Sequence, residues 1–479
     1  MKILVTGASG YIGGRLVPRL VLEGHQVTCL VRNPGKLNLY PSENVDIRQG
    51  DLLDHTSLHQ VMDGIEVAYY LVHSMADGVR GFVERDHLAA VNFSTCAREA
   101  GIRRIIYLGG LGECEKSISP HLDSRQHVGD VLRASGVPVT EFRAAIIIGS
   151  GSMSFEMIRY LTDRLPILFT PPWIKTLCQP IAIENILDYL ILSLSEPRSI
   201  GSIFEIGGPD VLTYEEILRG YARVRQLNRR LVRLPLLSTS ILALGADVIT
   251  PLPLAYLRIL IDGMRSEVVV HDGTAQEVFN VKLIPYEQAL QRALKFSEYG
   301  EVDTYFKGRQ PGLVPGTTHK IIEGMFVEQR RLESSADPAQ IYATFAAIGG
   351  EQGWFYMPWL WHLRGLIDKF LGGVGLRRVQ SSNPARIQPG DVVGGYRVEV
   401  VDEGHLLRLR NEMKAPGPAW MQFEVQPGKP AGSLYIQTSF FEPHGLAGLA
   451  YWYFLYPFHQ LIFNGMARAI LRRAHPHTR

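Results

Sequence analysis

Three glycines set the chemistry open to the N-terminus. Gly7-Ala8-Ser9-Gly10-Tyr11-Ile12-Gly13 follows the apolar run Lys2-Ile3-Leu4-Val5-Thr6, and Ile12, Leu16, Val17, Leu20 and Val21 then recur at three- and four-residue spacing. A strand, a glycine-rich turn and a helix in that order make a dinucleotide-binding site. Gly7 permits the tight turn, Gly10 lets the backbone approach a pyrophosphate, and Gly13 lets the helix pack close to the strand. The phosphates then meet unpaired N–H groups at the helix N-terminus. Ser9, Tyr11 and Ile12, the turn residues between the glycines, belong to the same candidate cradle. A second strand, His25 to Val31, runs into Arg32-Asn33. About 20 residues past the glycines an NAD site usually offers an acid to the ribose 2′-hydroxyl. Arg32 offers a guanidinium instead, which suits a 2′-phosphate. NADP(H) is therefore expected over NAD(H), the alternative being that Arg32 is a solvated loop charge.

The elements that must position these residues keep alternating. Val45 to Leu52 reads as a strand, Thr56 to Met62 as a helix, and Glu66 to Val72 as a strand entering His73-Ser74. A helix around Asp86 to Ala100 and a strand at Arg104 to Leu108 follow. Alternation of this kind predicts an α/β fold with a Rossmann-type doubly wound parallel sheet. Ligands bind at the carboxyl ends of such strands, so His73, Ser74, Gly109 and Gly110 are expected to face the cofactor.

The Gly-x-x-Gly-x-x-Gly spacing resembles that of the extended and atypical short-chain dehydrogenase/reductases (SDRs). That resemblance implies that Asp51 and Leu52, which end the third strand, edge the adenine. It also implies a Tyr, a Lys four residues on, and a Ser or Thr at the end of strand five. None of these is present. Strand five ends in Gly109-Gly110, and by spacing to the stretch at Arg143, His121 and Arg125 stand where the Tyr and Lys would be. His121 can act as a general acid–base group near neutrality. Arg125 can reach ribose hydroxyls, but its pKa is too high for proton transfer. A surface histidine and a helix-face arginine would fit the same two residues. The pattern resembles the NmrA-like branch of atypical SDRs, some of which bind cofactor without turning it over, and the SDR-like accessory subunit of respiratory complex I. Val139 to Arg143 with Ile146 to Gly149 matches their sixth strand and glycine turn, with Ala144 where proline is common. Residues of about 150–300 resemble the small substrate lobe of an extended SDR, and their Leu, Ile and Pro content suits an apolar substrate or simple packing. Thr213 and Glu216 have capping-box spacing. The resemblance covers residues 1–306.

Residues 307–320, with two prolines and three glycines, read as a linker. Beyond it, 321–479 reads as a strand at Phe326 to Leu332, helices at Pro338 to Ile348 and Leu360 to Leu371, strand-like runs from Asp391 to Phe441, and a long helix from Leu446 to Arg472. That order resembles the α+β helix-grip fold (START-like, polyketide-cyclase-like), which implies a sheet wrapped on the last helix around an apolar cavity. Trp354, Phe355, Trp361, Trp420, Trp452 and Phe454 would line such a cavity or fill a solid core. The whole arrangement resembles a bacterial family joining an NAD(P)-binding SDR half to a C-terminal domain of unknown function.

Composition bounds the rest. With 46% hydrophobic and 20% charged residues, the chain has apolar material for folded cores. A net charge of +2 gives no reason to expect nucleic acid as a partner. Cys29, Cys96, Cys114 and Cys178 lack Cys-x-x-Cys spacing, which reads as free thiols in a reducing compartment. The first strand begins at once, so a cytoplasmic protein is expected. No metal site is expected, since the histidines lack ligand spacing. Leu234 to Ile261 and Gly445 to Leu471 are apolar but interrupted; they read as buried or amphipathic helices and leave room for peripheral membrane contact. The leading functional expectation is an NADP(H)-binding oxidoreductase acting on a hydrophobic small molecule that the C-terminal domain holds or delivers. Two alternatives stand beside it: a non-catalytic redox sensor or assembly factor, and a quinone or lipid carrier.

Overall fold

Strand β1 (Lys2–Thr6) is buried on both faces, and its alternation shows how. Ile3 and Val5 pack with Leu16, Val17 and Leu20 of helix α1 (Tyr11–Leu22), whereas Leu4 packs with Leu58 and Phe93 on the other side. A strand covered on both faces is the parallel-sheet case. The computed structural model describes residues 1–34, 43–73, 79–112, 120–235, 237–250, 252–298, 316–322, 325–349, 353–380, 387–428 and 432–475. They fall in two units, Met1–Gly312 and Leu313–Arg479.

In the first unit β2 (Gln26–Val31), β3 (Val45–Gln49), β4 (Val67–Tyr70), β5 (Arg104–Gly110), β6 (Val139–Ala144) and β7 (Ile203–Ile206) join β1 in one parallel sheet. Its order is β7-β6-β5-β4-β1-β2-β3. The chain therefore reverses direction across the sheet between β1 and β4, and the crevice at their carboxyl ends is the place where such sheets bind ligands. Helices α2 (His55–Met62), α3 (Val79–Glu99) and α4 (Pro120–Ala134) connect the central strands.

The structure corrects the sequence reading at three places. β3 stops at Gln49, because Gly50 to Leu52 turn: Asp51 Oδ1 accepts from Leu53 N at 3.0 Å and Ser57 Oγ accepts from Asp51 N at 3.1 Å. Ile203–Ile206, expected in the small lobe, pairs in parallel with β6 and completes the main sheet at its edge. Of the expected linker 307–320, the part up to 315 lies outside the described residues, and the rest is strand: Gly316–Ile322 pairs antiparallel with Met325–Ser334.

The small lobe contains α5 (Met153–Arg164), helix Tyr214–Val224 with the expected Thr213–Glu216 capping box, and helices Thr239–Ile249 and Leu254–Gly263 from the apolar stretch at 234–261. The second unit is an eight-stranded antiparallel sheet with helices Pro338–Ala346, Pro358–Phe370 and Gly445–Ala474. Phe463, Met466, Ala467 and Ile470 of the last helix pack with Leu407, Phe423 and Tyr435 of the sheet. No described helix is long and apolar enough to cross a membrane.

Candidate functional site

At the end of β1 the backbone can turn only because residue 7 is glycine. Gly7 has φ +70°, and a Cβ there would lie 2.7 Å from the Leu71 carbonyl oxygen just past β4. Gly10 is the N-cap of α1 and has no side chain to cap the helix. At Gly13 a Cβ would lie 2.3 Å from the Gly7 carbonyl oxygen, which is why the helix can cross so close to the turn. Ser9 is exposed, while Tyr11 and Ile12 are half-buried. The Tyr11 ring carries the Arg15 guanidinium 4.2 Å from its centre, and Arg15 Nη2 donates to the Ser150 carbonyl at 2.8 Å.

Three other residues are expected from the sequence to touch the cofactor: Arg32, Leu52 and Asp51. Arg32 is exposed at the end of β2, with its carbonyl accepting from Gln49 Nε2 at 3.2 Å. Leu52 is buried, and its carbonyl accepts from Asn92 Nδ2 at 3.1 Å. The Asp51 carboxylate holds its own turn through Leu53. Ser74 and Cys114 lie outside the described residues.

His73, at the carboxyl end of β4, is joined to two residues from the helices on that side of the sheet. Its Nδ1 is 2.6 Å from Asp86 Oδ2 on α3, and its Nε2 is 2.9 Å from His121 Nδ1 on α4. A carboxylate can only accept, so His73 Nδ1 carries the proton and Nε2 the lone pair. His121 Nδ1 must then donate, which leaves the His121 lone pair on Nε2. Burial, above all, keeps both imidazoles neutral. It pushes His121 down to about 2, with help from His73 and the Arg125 charge. It lowers His73 too, against the opposing hydrogen bond that His73 donates to Asp86.

Arg125 stands one helical turn from His121 and donates through Nη2 to the Leu108 carbonyl, while Tyr107 Oη donates to the Arg125 carbonyl at 2.7 Å. A Cβ at Gly110 would lie 2.9 Å from Leu122 and 3.4 Å from Arg125 Cδ. Helix α4 thus fills the space that a hydroxyl residue at the end of strand five would need.

Asp86 is the member of this chain that sequence reasoning missed. It is 3% exposed, on a helix whose charge pattern otherwise reads as solvent-facing, and a buried acid among exposed ones has no signature in spacing. Another grouping also escaped the histidine spacing: His55, Cys96 and Glu99 bring ligand-type atoms within 4.8 Å of one another. Cys96 and Glu99 are one turn apart on α3, and His55 Nε2 lies 3.8 Å from Glu99 Oε2.

The small lobe encloses an apolar cavity of about 370 Å³, walled by Met157, Leu161, Phe169, Ile217, Ile241 and Met264 among others. In the second unit a cavity of about 300 Å³ is walled by Trp361, Trp420, Tyr451, Trp452 and Phe454. Trp354 and Phe355, expected there as well, belong instead to the packed core, where Trp354 stacks on Trp361 with centroids 4.2 Å apart.

Residues 1–247 match the NmrA-like family. The chain belongs to that family. Residues 323–466 match a second family, described as a protein of unknown function, DUF2867. Over 249 residues this NmrA-like chain is 28% identical to the ceramide reductase of Caulobacter vibrioides, spanning 51% of this chain and 77% of that protein. It is 27% identical over 183 residues to the sterol demethylase protein B of Methylococcus capsulatus, spanning 36% of this chain and 53% of that one. Among solved structures, it shares its fold with the Citrobacter sp. triphenylmethane reductase complexed with NADP(H), with a TM-score of 0.50 at 20% identity, over 61% of this chain and 99% of that one.

Proposed function

We propose that the first unit is an NADP(H)-dependent oxidoreductase acting on a hydrophobic small molecule, with the proton handled at His121. The observation that carries this reading is the Asp86–His73–His121 chain at the switch point of a Rossmann-type sheet. Gly7, Ser9, Gly10, Tyr11, Ile12 and Gly13 would hold the pyrophosphate. The turn fits it, since Gly13 lets α1 begin hard against the Gly7 turn and the α1 N-terminus is uncapped by a side chain. Asp51 and Leu52 would border the adenine. Arg32 would pair with the 2′-phosphate, because Val31, Arg32 and Asn33 offer no carboxylate to a ribose hydroxyl.

The cofactor, when bound, supplies or accepts the hydride. In the oxidative direction the neutral His121 Nε2 would take a proton from a substrate hydroxyl. In the reductive one, because burial holds this imidazole far below the range near neutrality that its residue type suggests, the nascent alkoxide would draw its proton from water held at His121 Nε2. As the proton arrives, Nδ1–H passes charge toward His73 Nε2, and His73 Nδ1–H toward Asp86. The buried carboxylate thereby stabilises an imidazolium that burial alone disfavours. Arg125, fixed to the Leu108 carbonyl, orients α4 and lends positive charge beside the reacting oxygen.

The apolar cavity of the small lobe supports an apolar substrate, as do relatives named for a ceramide and a sterol. The test is NADPH consumption by the whole chain with ketones, enones and quinones bearing long alkyl or fused-ring groups. Turnover that disappears in His121→Ala, with NADPH binding retained, is the expected result. Tight NADPH binding with no turnover on any of them would overturn the enzyme reading in favour of a nucleotide-occupancy sensor.

A further inference from the structure

The cavity of the second unit opens at its rim onto apolar side chains that face solvent. Leu363 and Ile367 of helix Pro358–Phe370, and Phe454 and Phe458 of helix Gly445–Ala474, are wall residues of that cavity and exposed at the same time. Residues that are both wall and surface mark a mouth. The exposed apolar surface continues away from it along both helices. On the first, Leu366 and Phe370, the latter 92% exposed, extend the row at three- and four-residue spacing. On the second, Phe454 is 73% exposed and Leu461 carries the row a further turn. A patch of this kind is larger than scattered surface leucines explain.

Charge decides what covers it. The thirty residues Gly445–Ala474 contain no Asp or Glu, and their charges are Arg468, Arg472 and Arg473. Helix Pro358–Phe370 has one acid, Asp368, and it is turned inward: it is 0% exposed and accepts from Gly375 N and Lys414 N at 2.7 and 2.6 Å. The outward face keeps Lys369. A second copy of the chain would bring this basic, acid-free face against itself. An anionic lipid surface offers the complement, with headgroups for the arginines and acyl chains for the phenylalanines and leucines. Neither helix is long and apolar enough to span, so both would lie in the interface.

We propose that the second unit docks on an anionic bilayer surface through the exposed faces of these two helices, with the mouth of its cavity turned toward the acyl layer. Docking requires no turnover, so it stands or falls separately from the redox reading.

Flotation of the full chain with vesicles tests it, using phosphatidylcholine alone and phosphatidylcholine mixed with phosphatidylglycerol. The chain is expected to float with the mixed vesicles, less with the neutral ones, and less at high salt. The double variant Phe370→Glu, Phe454→Glu is expected to lose vesicle affinity at least about tenfold, with an unchanged circular dichroism spectrum because both rings face solvent. Leu366→Glu, also on the exposed face, gives the same readout should the double variant fold poorly. Failure to float with either vesicle, or flotation of folded variants at the level of the parent, would overturn the proposal. So would light scattering that finds a dimer dissociated by the variants without any vesicle binding, which would assign the patch to a second copy.

Discussion

The His73 and His121 rings meet through Nε2 and Nδ1 at 2.9 Å, tilted by 50° with centroids 4.7 Å apart. With Asp86 at 2.6 Å on the far side of His73, this hydrogen bond fixes which nitrogen of His121 carries the lone pair. Asp86→Asn should therefore damage turnover while leaving the cofactor in place. An amide can donate to His73 Nδ1 and reverse both tautomers. A fall of about 10²–10⁴ in kcat is expected, the range for losing a positioned acid–base group, with the Kd for NADPH within about threefold of the parent. Steady-state kinetics and calorimetry on the same preparation check both halves. Equal losses in kcat and binding would mean that Asp86 only holds the fold.

Arg32 is the second lever. Its guanidinium is exposed and its side chain is not needed to build β2, so Arg32→Ala should leave stability unchanged. If it pairs with a 2′-phosphate, NADPH affinity falls by about 10- to 100-fold, the value of about 1.5–3 kcal/mol for a charge-assisted hydrogen bond, while NADH affinity hardly moves. Calorimetric titration of the two nucleotides against both proteins measures the difference. Parallel losses for NADH and NADPH would remove the phosphate assignment.

The glycine turn can be tested without any ligand. At Gly13 the nearest atoms to a new Cβ are backbone: Gly7 O at 2.3 Å, Gly7 C at 2.8 Å and Ala8 Cα at 2.9 Å. Backbone cannot swing aside as a long side chain can, so Gly13→Ala should cost about 2–4 kcal/mol, at the upper end of single substitutions. Gly24 provides the control. Its φ is +82° and nothing lies within 4 Å of a Cβ there, so Gly24→Ala carries only the left-handed backbone penalty of about 1–2 kcal/mol. Urea unfolding followed by far-ultraviolet circular dichroism ranks the two, and equal losses would mean that α1 retreats from the turn at little cost.

These tests separate what could be read from the sequence from what could not. The turn, the strand order and the helix faces were legible because each rests on a local signal: a glycine where φ is positive, an alternation, a three- to four-residue period. The relay was half legible. His73 stood out at the end of β4 and His121 by its spacing, but the bond between them joins positions 48 residues apart and depends on how α3 and α4 pack on the sheet. Asp86 gave no signal at all, since burial of one acid on a mixed helix face is a tertiary fact. Strands were misassigned where short apolar runs carry no address: Ile203–Ile206 looks the same whether it pairs within the lobe or closes the edge of the main sheet. The threonines of Gly316–Ile322 sit among prolines and glycines that mask them.

In the second unit the pH dependence of stability should trace to His459. Burial, and after it the charge of Arg330, pushes this imidazole down from its ordinary 6.5 to about 4. Its ring stacks on Phe463 with centroids 5.2 Å apart and lies edge-on to Trp452 at 5.3 Å. The fold thus keeps His459 neutral at a pH where the unfolded chain protonates it. Between 6.5 and 4 the unfolded state binds more protons, so stability is full above about 6.5 and drains away as pH falls. Integrated down to pH 5, the loss from this one group is about 2 kcal/mol. Five of the six tryptophans (Trp354, Trp359, Trp361, Trp420 and Trp452) lie in Leu313–Arg479, so tryptophan fluorescence reports mainly on this unit. Urea midpoints by fluorescence should fall from pH 7 to pH 5 in the parent and fall less in His459→Gln, which removes the titrating group while keeping a polar side chain of similar reach. A variant whose midpoint falls as steeply as the parent's would show that other groups carry the acid sensitivity.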